Sequence, residues 1–575
     1  MILLFLFLAG ITDDIIFKTE QDLDLEQIAK DIENLLADPV DINRADVEAL
    51  ARIPYLSLND IVKILEYRAE RGPFESIEEL TLIPGFDRTL VDVIRPFLTI
   101  GRKEVEIKKL NARARVRTEL PVEEPSLEYY TKLGVWVGQC GVNAVTERDP
   151  YESSFFDHWA AGVLVDEGRR KFALGKYNLD LGGGAMLSPV GSFFQGIDFR
   201  IMLNERGLIP YTSTIENAGF FGAALSDSVF VDYTLFFSNQ KLDGTIDSLG
   251  FARSLDASGE HTDSASLSRK DRINEEILGY DVRYRTADLL IASRSYVCRY
   301  EPGFATRDSV TGFFGADFFM TGVELRYFGE SFVVFSEIAR SWRDRFGGLF
   351  GFSAVFPFVD FNLAGKYFPA GFYSPKGTEA SANHAGGTLD LKHRSAIIDA
   401  GLSLNMDNRL DEDTTKHDLK LSFAKRIGML DARVNFRRRY RANDVDLTGS
   451  EALLRLRATR SLFFDVRFEE KTVYNEDIER GIAFSLEAVL DLRRLDARVR
   501  YGIFDTDTYG ARIYVYEIDL PGVVRNRMLY NNGDYGFVYL SIRPIQRIRL
   551  SMKYAFVNRE SVSEKQAGGQ FDFMF

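Results

Sequence analysis

The amino-acid sequence predicts a mostly β fold, in which a large antiparallel transmembrane β-barrel follows a small all-α domain. The first observation is composition: 575 residues with 45% hydrophobic and 13% aromatic side chains supply enough apolar surface for a folded core. The second is that apolar and polar residues alternate along most of the chain, as they do in strands. The third is charge, because residues 1–100 carry −11 of the net −14 and so differ from the nearly balanced remainder.

The composition excludes a helical membrane protein. The longest uninterrupted apolar run, Ile2–Ile11, is about half of the ~20 residues that a spanning helix needs. The mean hydropathy of −0.14 is compatible with a transmembrane β-barrel, because only alternate residues of its strands face lipid. Two cysteines, Cys140 and Cys298, are too few for a disulfide-stapled fold and are expected to be apolar wall residues.

The first 39 residues are predicted to contain an export signal followed by a helix. Residues 1–11 read as a secretory signal peptide, since an apolar run ends in two small residues and is followed by acids, although no Lys or Arg precedes it. A buried N-terminal strand or helix is the alternative. Residues 12–39 are predicted to form an acidic helix, because Leu25, Ile28 and Ile32 recur at helical spacing.

Residues 40–100 contain two similar units, each with an Ile-Pro pair, a tight turn and then an amphipathic helix. The pairs are Ile53-Pro54 and Ile83-Pro84, within "INRADVEALARIP" and "IVKILEYRAERGPFESIEELTLIPG". This pattern resembles the paired helix-hairpin-helix domain of competence-type (ComEA-like) DNA-binding proteins. The resemblance implies an all-α domain and DNA contact through the two hairpin turns.

The hairpin turns supply the candidate contact residues of this domain for a nucleic acid or a protein partner: Pro54, Tyr55, Leu56, Ser57, Pro84, Gly85, Phe86 and Asp87. The family that this domain resembles has Pro-Gly-x-Gly here, so that amide N–H groups approach a phosphate closely. Both glycines are missing from the first turn, and Asp87 replaces one in the second. Residues 40–100 also hold seven basic and eleven acidic side chains. The sequence therefore favours packing or protein docking over DNA binding.

A linker over 101–109 precedes the predicted barrel, residues 110–575. In "LDARVRY" (Leu495–Tyr501) the apolar and the charged side chains take opposite faces, and "QRIRLSMKYAF" (Gln546–Phe556) repeats the scheme. Strands of ~9–11 residues with their turns give roughly 22–26 strands over this length. A soluble sandwich also alternates, but arginines on the polar face of strand after strand favour a closed barrel with a wet lumen.

The charged face is expected to line the lumen. Its predicted residues are Arg433, Arg437, Arg439, Arg498, Arg500, Arg547 and Arg549. Two interpretations stay open: an electropositive lumen that guides an anionic solute or polymer, and a structural ladder of arginines paired with acids. The 62 basic and 65 acidic groups of residues 101–575 favour the ladder. The cluster that Arg433, Arg437 and Arg439 form with Arg441 is the exception to test.

The chain ends in "GGQFDFMF", which places Phe571, Phe573 and Phe575 at alternate positions. This ending resembles the C-terminal assembly signal of bacterial outer-membrane barrels. The resemblance implies insertion into outer-membrane lipid by the barrel assembly machinery. The even number of strands that such barrels favour then places both termini, and with them the N-terminal module, in the periplasm. Leu174–Leu187 and Lys366–Ser381 are also similar to segments of a group of Gram-negative outer-membrane proteins, and this second resemblance implies no particular activity.

Motifs for catalysis, metal binding or cofactor binding are not found in the sequence. The five histidines lack zinc-type spacing. Gly182–Gly184 lack the Gly-Lys-Ser/Thr of a phosphate loop, so they are expected to kink a barrel strand or to allow a close strand approach in the wall. We therefore expect no bound metal, no cofactor and no enzymatic activity.

Together these features predict an outer-membrane β-barrel channel or translocation component whose acidic helix-hairpin-helix module plugs the barrel or docks a periplasmic protein. The alternative is a DNA uptake protein whose helix-hairpin-helix domain binds DNA at the periplasmic mouth. Lys241–Asn274, rich in Ser and Asp and poor in aromatics, is expected to form a long extracellular loop.

Overall fold

In a computed structural model the chain forms a closed β-barrel preceded by a small helical region. The predicted signal peptide, nearly all of the predicted acidic helix and most of the predicted linker lie outside the described residues. The structure describes residues 35, 39–45, 49–50, 53, 56, 58–83, 86, 90–91, 94–101, 108–120, 127–148, 158–187, 205–213, 217–256, 264–286, 288–305, 313–329, 331–356, 358–377, 383–393, 395, 398–410, 414–441, 446–459, 461–474, 477–560 and 562–575.

The N-terminal region has an apolar core of its own. Helix α1 (Leu58–Arg71) is amphipathic, since Ile61 and Ile64 are buried while the guanidinium of Arg68 donates to two backbone carbonyls of the preceding segment. The second hairpin unit starts with a 3-10 helix. Its first turn is capped by a hydrogen bond from the Ser76 amide to the Glu79 carboxylate (2.9 Å). The elements are β1 (Val40–Asp41), α1 (Leu58–Arg71), 3-10 helices Ile77–Leu82 and Arg95–Phe97, and β2 (Leu98–Thr99), which pairs in parallel with β1.

The barrel wall consists of 24 strands. The first twelve are β3 (Lys108–Leu120), β4 (Leu127–Val137), β5 (Cys140–Arg148), β6 (His158–Asp166), β7 (Lys171–Asp180), β9 (Phe220–Ser228), β10 (Asp232–Leu242), β13 (Ile273–Arg285), β14 (Leu289–Phe304), β15 (Gly315–Phe328), β16 (Phe332–Ser341) and β17 (Arg345–Val355). The other twelve are β18 (Asp360–Phe368), β19 (His384–His393), β20 (Asp399–Arg409), β21 (Thr414–Ile427), β22 (Leu430–Arg441), β23 (Asp446–Arg457), β24 (Leu462–Tyr474), β25 (Ile478–Leu492), β26 (Leu495–Thr506), β29 (Asn532–Ile545), β30 (Ile548–Arg559) and β31 (Ser563–Met574).

Shorter elements lie in the connections between wall strands. They are β8 (Gly207–Pro210), β11 (Gly244–Ile246), β12 (Ala252–Leu255), α2 (Ser264–Leu267), a 3-10 helix Trp342–Asp344, β27 (Ile513–Ile518) and β28 (Val524–Leu529). Among the helices that the structure describes, none is both long enough and apolar enough to cross a membrane.

The wall closes between its first and last strands. β3 pairs antiparallel with β31 from Asn111↔Met574 to Leu120↔Lys565. Leu110 and Phe575 then exchange two backbone hydrogen bonds, of 3.1 and 2.9 Å. Closure gives the first and last strands of the wall a partner on both sides, which removes the open edges of a flat sheet. The predicted fold class and the predicted range of strand numbers are confirmed.

The two ends of the barrel differ in the length of their connections. At the short-turn end, where β3 begins and β31 finishes, successive strands are joined by two to five residues. The predicted extracellular loop Lys241–Asn274 corresponds to a connection at the opposite end, and its first and last two residues belong to β10 and β13. This long-loop end holds the connections 181–219, 243–272, 369–383 and 507–531.

The two faces of the wall differ in polarity. On β26 the outward-facing Val499 and Tyr501 are about half exposed, whereas the inward-facing Arg498 and Arg500 are buried. This contrast follows from strand geometry, which turns successive side chains to opposite faces. The alternation read in the sequence therefore separates an apolar exterior from a charged lumen.

Candidate functional site in the barrel lumen

Three segments fold inward from the long-loop end and cover much of the inner wall. We name them the glycine strap (181–187), the inner loop (369–377) and the inner hairpin (513–529, which includes β27 and β28). The strap and the inner loop share an apolar core with wall strands between β6 and β18. The inner hairpin packs on β25, β26, β29 and β30.

The glycine strap leaves the wall directly after β7. Gly182 and Gly184 have φ values of +83° and +103°, which lie in the left-handed region that favours glycine. A side chain at Gly182 would collide with the guanidinium of Arg294, and one at Gly183 would collide with the ring of Phe335. The prediction that these glycines serve the wall itself is wrong, because they carry the chain off the wall and onto side chains that point into the lumen.

A buried carboxylate on β16 holds the strap in place. Glu337 accepts hydrogen bonds from the amides of Gly183 (2.8 Å) and Ala185 (3.1 Å) and from the guanidinium of Arg294 (2.7 Å). Arg294 contacts two further carboxylates, those of Asp281 (2.9 Å) and Glu324 (2.5 Å). Buried charges are stable only when they are paired and hydrogen-bonded. The side chains of the wall do not supply enough donors for the Glu337 carboxylate, and the strap amides therefore complete its hydrogen bonding.

Glu205 returns to the same network from the far side of the strap. Its carboxylate lies 2.6 Å from Arg283 Nη1 and 2.8 Å from Arg326 Nη2, and it also accepts from the amide of Gly182. Burial by itself raises the pKa of Glu205, but the positive charges of Arg283, Arg326 and Arg294 outweigh burial and lower that pKa to about 2. Glu205 is therefore charged at neutral pH, although it is buried.

The inner loop is fixed by polar contacts to the wall and to the strap. Lys376 Nζ lies 2.7 Å from Glu275 Oε1, and the hydroxyl groups of Tyr373 and Tyr300 lie 3.1 Å apart. Ser374 Oγ donates to the carbonyl oxygen of Ala185 in the strap (2.8 Å). The strap and the inner loop are therefore joined to each other as well as to the inner wall.

The inner hairpin is attached by a second set of charges. Lys553 Nζ on β30 lies 2.5 Å from Glu517 Oε1 and 3.5 Å from Asp519 Oδ2, and Arg117 Nη2 lies 3.9 Å from the same Asp519 oxygen. Burial raises the pKa of Asp519, but Lys553 and Arg117 outweigh it and hold that pKa below its usual value. The charged lumen thus anchors inserted backbone at two separate places.

The structure places the predicted lumen charges as follows. Arg433, Arg437, Arg439, Arg498, Arg500 and Arg549 lie on inward-facing positions of their strands. Carboxylate partners include Asp418 for Arg437 and Arg439, Asp496 for Arg498, Glu487 for Arg500 and Asp572 for Arg549. Arg547 is instead in the turn between β29 and β30, where its guanidinium lies 4.1 Å from the ring centroid of Phe575.

The sequence reasoning missed the charges that hold the strap, above all Arg294, Arg326 and Glu337. A signal for part of this set exists, because Asp281/Arg283 and Glu324/Arg326 are opposite charges two residues apart on one strand face. What the sequence does not contain is the pairing of these strands with each other and with the strap.

Two of the predicted hairpin residues are described, and both are buried. Leu56 and Phe86 belong to the apolar core of the N-terminal region, and their amides donate to Ile53 and Ile83 at matching positions of the two turns. Their side chains are therefore packed in this core, and contact of the two hairpin turns with a partner stays a prediction. The other six candidates lie outside the described residues: Pro54, Tyr55, Ser57, Pro84, Gly85 and Asp87.

The C-terminal phenylalanines end the wall at the short-turn end. Phe571 and Phe573 pair with the outward-facing Leu550 and Ile548, so they belong to the apolar exterior. Phe575 closes the barrel through its backbone, as described above. Their role as an assembly signal stays a prediction.

In the described part of the chain, no group of three or more His, Cys, Asp or Glu side chains is arranged to hold a metal ion. Cys140 is exposed at the start of β5, and Cys298 is buried inside the barrel.

A comparison with protein families finds a match in the N-terminal region. A family model described as "Helix-hairpin-helix motif" matches residues 37–99. The helix-hairpin-helix resemblance is therefore confirmed, while the competence-type assignment within it stays a prediction. A comparison with curated proteins finds no match.

Solved structures of outer-membrane proteins are similar in outline only. The ferric enterobactin receptor PfeA of Pseudomonas aeruginosa, in a mutant form, is 9% identical, with 83% of this chain and 81% of that chain covered and a TM-score of 0.40. The copper transporter OprC is 10% identical over 83% and 82%, with a TM-score of 0.38. Acinetobacter baumannii OccAB4 is 8% identical over 60% and 98%, with a TM-score of 0.29. The barrel is defined here by its own strand pairing.

Proposed function

We propose that this protein is an outer-membrane channel or translocation component whose inserted segments restrict the lumen. The observation that carries the proposal is the pairing of an apolar exterior with a lumen of buried charges in one closed wall. Half-exposed Leu278, Val297 and Phe319 on adjacent outer positions would be unfavourable in a soluble barrel. A barrel in lipid needs them, and its lumen keeps the polar groups.

The outer face of the wall also indicates where the lipid boundary lies near the long-loop end. On the outer face near the long-loop end, apolar residues give way to polar pairs. Arg299 and Asp317 lie 3.3 Å apart on β14 and β15, and Arg438 and Asp446 lie 2.7 Å apart on β22 and β23. Charges of this kind are costly at the bilayer midplane and cheap at the interface. In our proposal the long loops therefore face the cell exterior and the short turns face the periplasm.

The helix-hairpin-helix module is proposed to act at the periplasmic mouth, by plugging it or by docking a protein. β3 follows the module and begins at the short-turn end. Cα atoms of α1 lie within 8 Å of β17, so the module contacts the wall directly. The acidic bias of residues 40–100 suits a basic protein partner better than a phosphate backbone.

The proposal is tested by conductance of the full-length protein in planar bilayers. Gly182→Ala should raise conductance or open probability, because the new methyl group collides with Arg294 and displaces the strap. Gly168→Ala is the matched control: Gly168 has a similar φ of +82°, but nothing lies within 4 Å of the added methyl group. If both variants and the wild-type protein conduct no ions after insertion, the channel proposal is wrong.

DNA uptake is the second candidate, because the family model of residues 37–99 matches a motif that the sequence links to DNA-binding proteins. Fluorescence anisotropy with a labelled duplex and the full-length protein in detergent separates the two candidates. Binding that weakens steeply between about 50 and about 200 mM salt would support DNA uptake. Absence of binding at about 50 mM salt would contradict DNA uptake and leave a module that plugs the barrel or docks a protein.

A further inference from the structure

The outer face of the barrel wall has a groove between β16 and β18. The groove has a volume of about 520 Å³ and lies below the turn that joins β16 to β17 at the long-loop end. Its floor is formed by backbone, because the outward-facing positions at its centre are Gly348 and Gly365. Its sides are four apolar side chains that are about half exposed: Ile338, Phe346, Phe350 and Tyr367. We name these six residues the outer groove.

The strand register explains why the wall is indented here. Gly348 lies between Ile338 and Tyr367, and Gly365 lies between Phe350 and Gly387. Large side chains therefore stand beside positions that carry no side chain, and the difference in their height makes the groove. Its volume falls in the range of ~300–1,000 Å³ that is typical of sites for small molecules.

The lining of the outer groove suits an apolar chain, because its sides present aliphatic and aromatic carbon. Under the proposed function this face lies in the outer leaflet, where the apolar groups around the wall are lipid acyl chains. In lipid the gain on binding comes from close packing rather than from exclusion of water, and a groove offers a chain more contacts than a flat wall does. The apolar occupant that this location supplies is therefore an acyl chain.

The turn above the outer groove is basic. Residues 340–345 hold three arginines and one carboxylate, Asp344. Arg340 faces outward opposite Phe346, and the side chains of its pair with Asp344 are 46% and 73% exposed. Arg343 is exposed at the tip of the turn. Because exposed ion pairs contribute little, the guanidinium of Arg340 can exchange Asp344 for a phosphate group.

We propose that the outer groove binds one lipid of the outer leaflet, with an acyl chain in the groove and an anionic phosphate headgroup at Arg340 and Arg343. This rests on the proposed function in one respect, namely that the outer face of the wall lies in lipid. Basic side chains near a membrane surface attract anionic headgroups, and a guanidinium group binds phosphate oxygens in two-pronged fashion. A bound lipid would fill the indentation and complete the apolar exterior of the wall.

Native mass spectrometry of the full-length protein in detergent, titrated with dioleoyl-phosphatidylglycerol, tests the groove. The wild-type protein should retain one lipid, and Gly365→Leu should bind it about tenfold more weakly or worse. A Cβ atom at Gly365 meets only the carbonyl oxygen of Gly386, at 3.8 Å, so the leucine fits the backbone and fills the groove. Gly569→Leu is the matched control and should keep wild-type affinity. Gly569 faces outward on β31, away from the groove, and its added Cβ meets only the carbonyl oxygen of Ser551, at 4.0 Å.

The contribution of the headgroup is tested by a second titration with dioleoyl-phosphatidylcholine, which has the same chains and no net charge. The wild-type protein should prefer phosphatidylglycerol by about tenfold or more, and Arg340→Gln/Arg343→Gln should lose this preference. Arg299→Gln is the control and should keep the preference, because Arg299 is also an exposed outward arginine near the long-loop end, but it lies on β14 outside the groove.

Three results would overturn the lipid site: equal loss of lipid in both glycine variants, equal binding of the two lipids by the wild-type protein, or a second copy of the chain retained in place of a lipid. The same spectra distinguish the third result by mass. Absence of conductance in planar bilayers together with intact lipid binding would leave the lipid site standing and overturn only the channel. Conductance without retained lipid would overturn only the lipid site.

Discussion

At the residue scale, the direction in which a side chain points decides what an ion pair contributes. Arg294 and Arg299 lie on the same strand, five residues apart. Arg294 faces inward, is 1% exposed and touches three carboxylates. Arg299 faces outward, and its pair with Asp317 is 66% and 67% exposed. Only the buried arginine neutralises charges that have no access to water.

Arg294→Met should therefore destabilise the protein by about 3–5 kcal/mol, because it leaves Asp281, Glu324 and Glu337 with less compensating charge. Arg299→Met on the same strand is the control and should stay close to wild type, since exposed pairs contribute little. Thermal unfolding in detergent, followed by near-UV circular dichroism, measures both. Equal melting temperatures for the two variants would contradict the role given to the buried network.

At the element scale, the strap is an inserted segment held by hydrogen bonds and ion pairs to charged side chains. A wall strand is held instead by backbone hydrogen bonds to its neighbouring strands. Its amides bond to Glu337, and its far side is anchored by Glu205 on three arginines. An attachment of this kind depends on pH, whereas the wall strands depend mainly on backbone hydrogen bonds and on burial.

The sign of that dependence follows from the pKa of Glu205, which folding lowers from 4.5 to about 2. A carboxyl group with a lowered pKa stabilises the folded state above its ordinary pKa and loses this contribution as the pH falls through its folded pKa. The hydrogen-exchange protection of residues 181–187, relative to the intrinsic exchange rate at each pH, should therefore persist at pH 5 and be lost between about 4.5 and about 2. Glu205→Gln should show fast exchange already at pH 7.

Amides of β25 serve as the internal control for acid unfolding of the whole barrel, because this strand is paired along its length on both sides. Loss of strap protection between pH 7 and pH 5 in the wild-type protein would mean that a group other than Glu205 controls the strap.

At the scale of the whole molecule, the two ends of the barrel have different tasks. The long-loop end supplies all three inserted segments, and the short-turn end holds the closure of the wall by Leu110 and Phe575. Under the proposed function the first end faces the cell exterior. The strap and the inner loop are joined through Ser374, so movement of one from this end would move the other.

Cysteine labelling of intact cells tests this orientation. In a Cys140→Ser background, Leu249→Cys in the long connection 243–272 should react with a membrane-impermeant maleimide, because Leu249 is 79% exposed at the long-loop end. Phe230→Cys, at a residue that is 95% exposed in a short turn, should react only after the outer membrane is permeabilised. Reaction in the reverse order would contradict the proposed orientation.

The sequence by itself determined the class of the fold, because the period of two along each strand and the polarity of its faces are local properties. The same alternation identified six of the seven predicted lumen arginines as inward-facing, and it failed for Arg547, which lies in a turn where alternation does not apply. The match of residues 37–99 likewise rests on local phrases such as the two Ile-Pro turns.

The tertiary structure alone decided how the lumen is filled. Gly182 is a residue of a strap only because it meets Arg294 and Glu337 from distant wall strands and Glu205 from the other end of its own connection. The contact of Arg437 on β22 with Asp418 on β21 likewise exists only once these two strands are in register. The alternation of a strand can be read from each short segment of the sequence. Contacts between segments far apart in the chain form only when the whole wall closes, so no local pattern of the sequence predicts them.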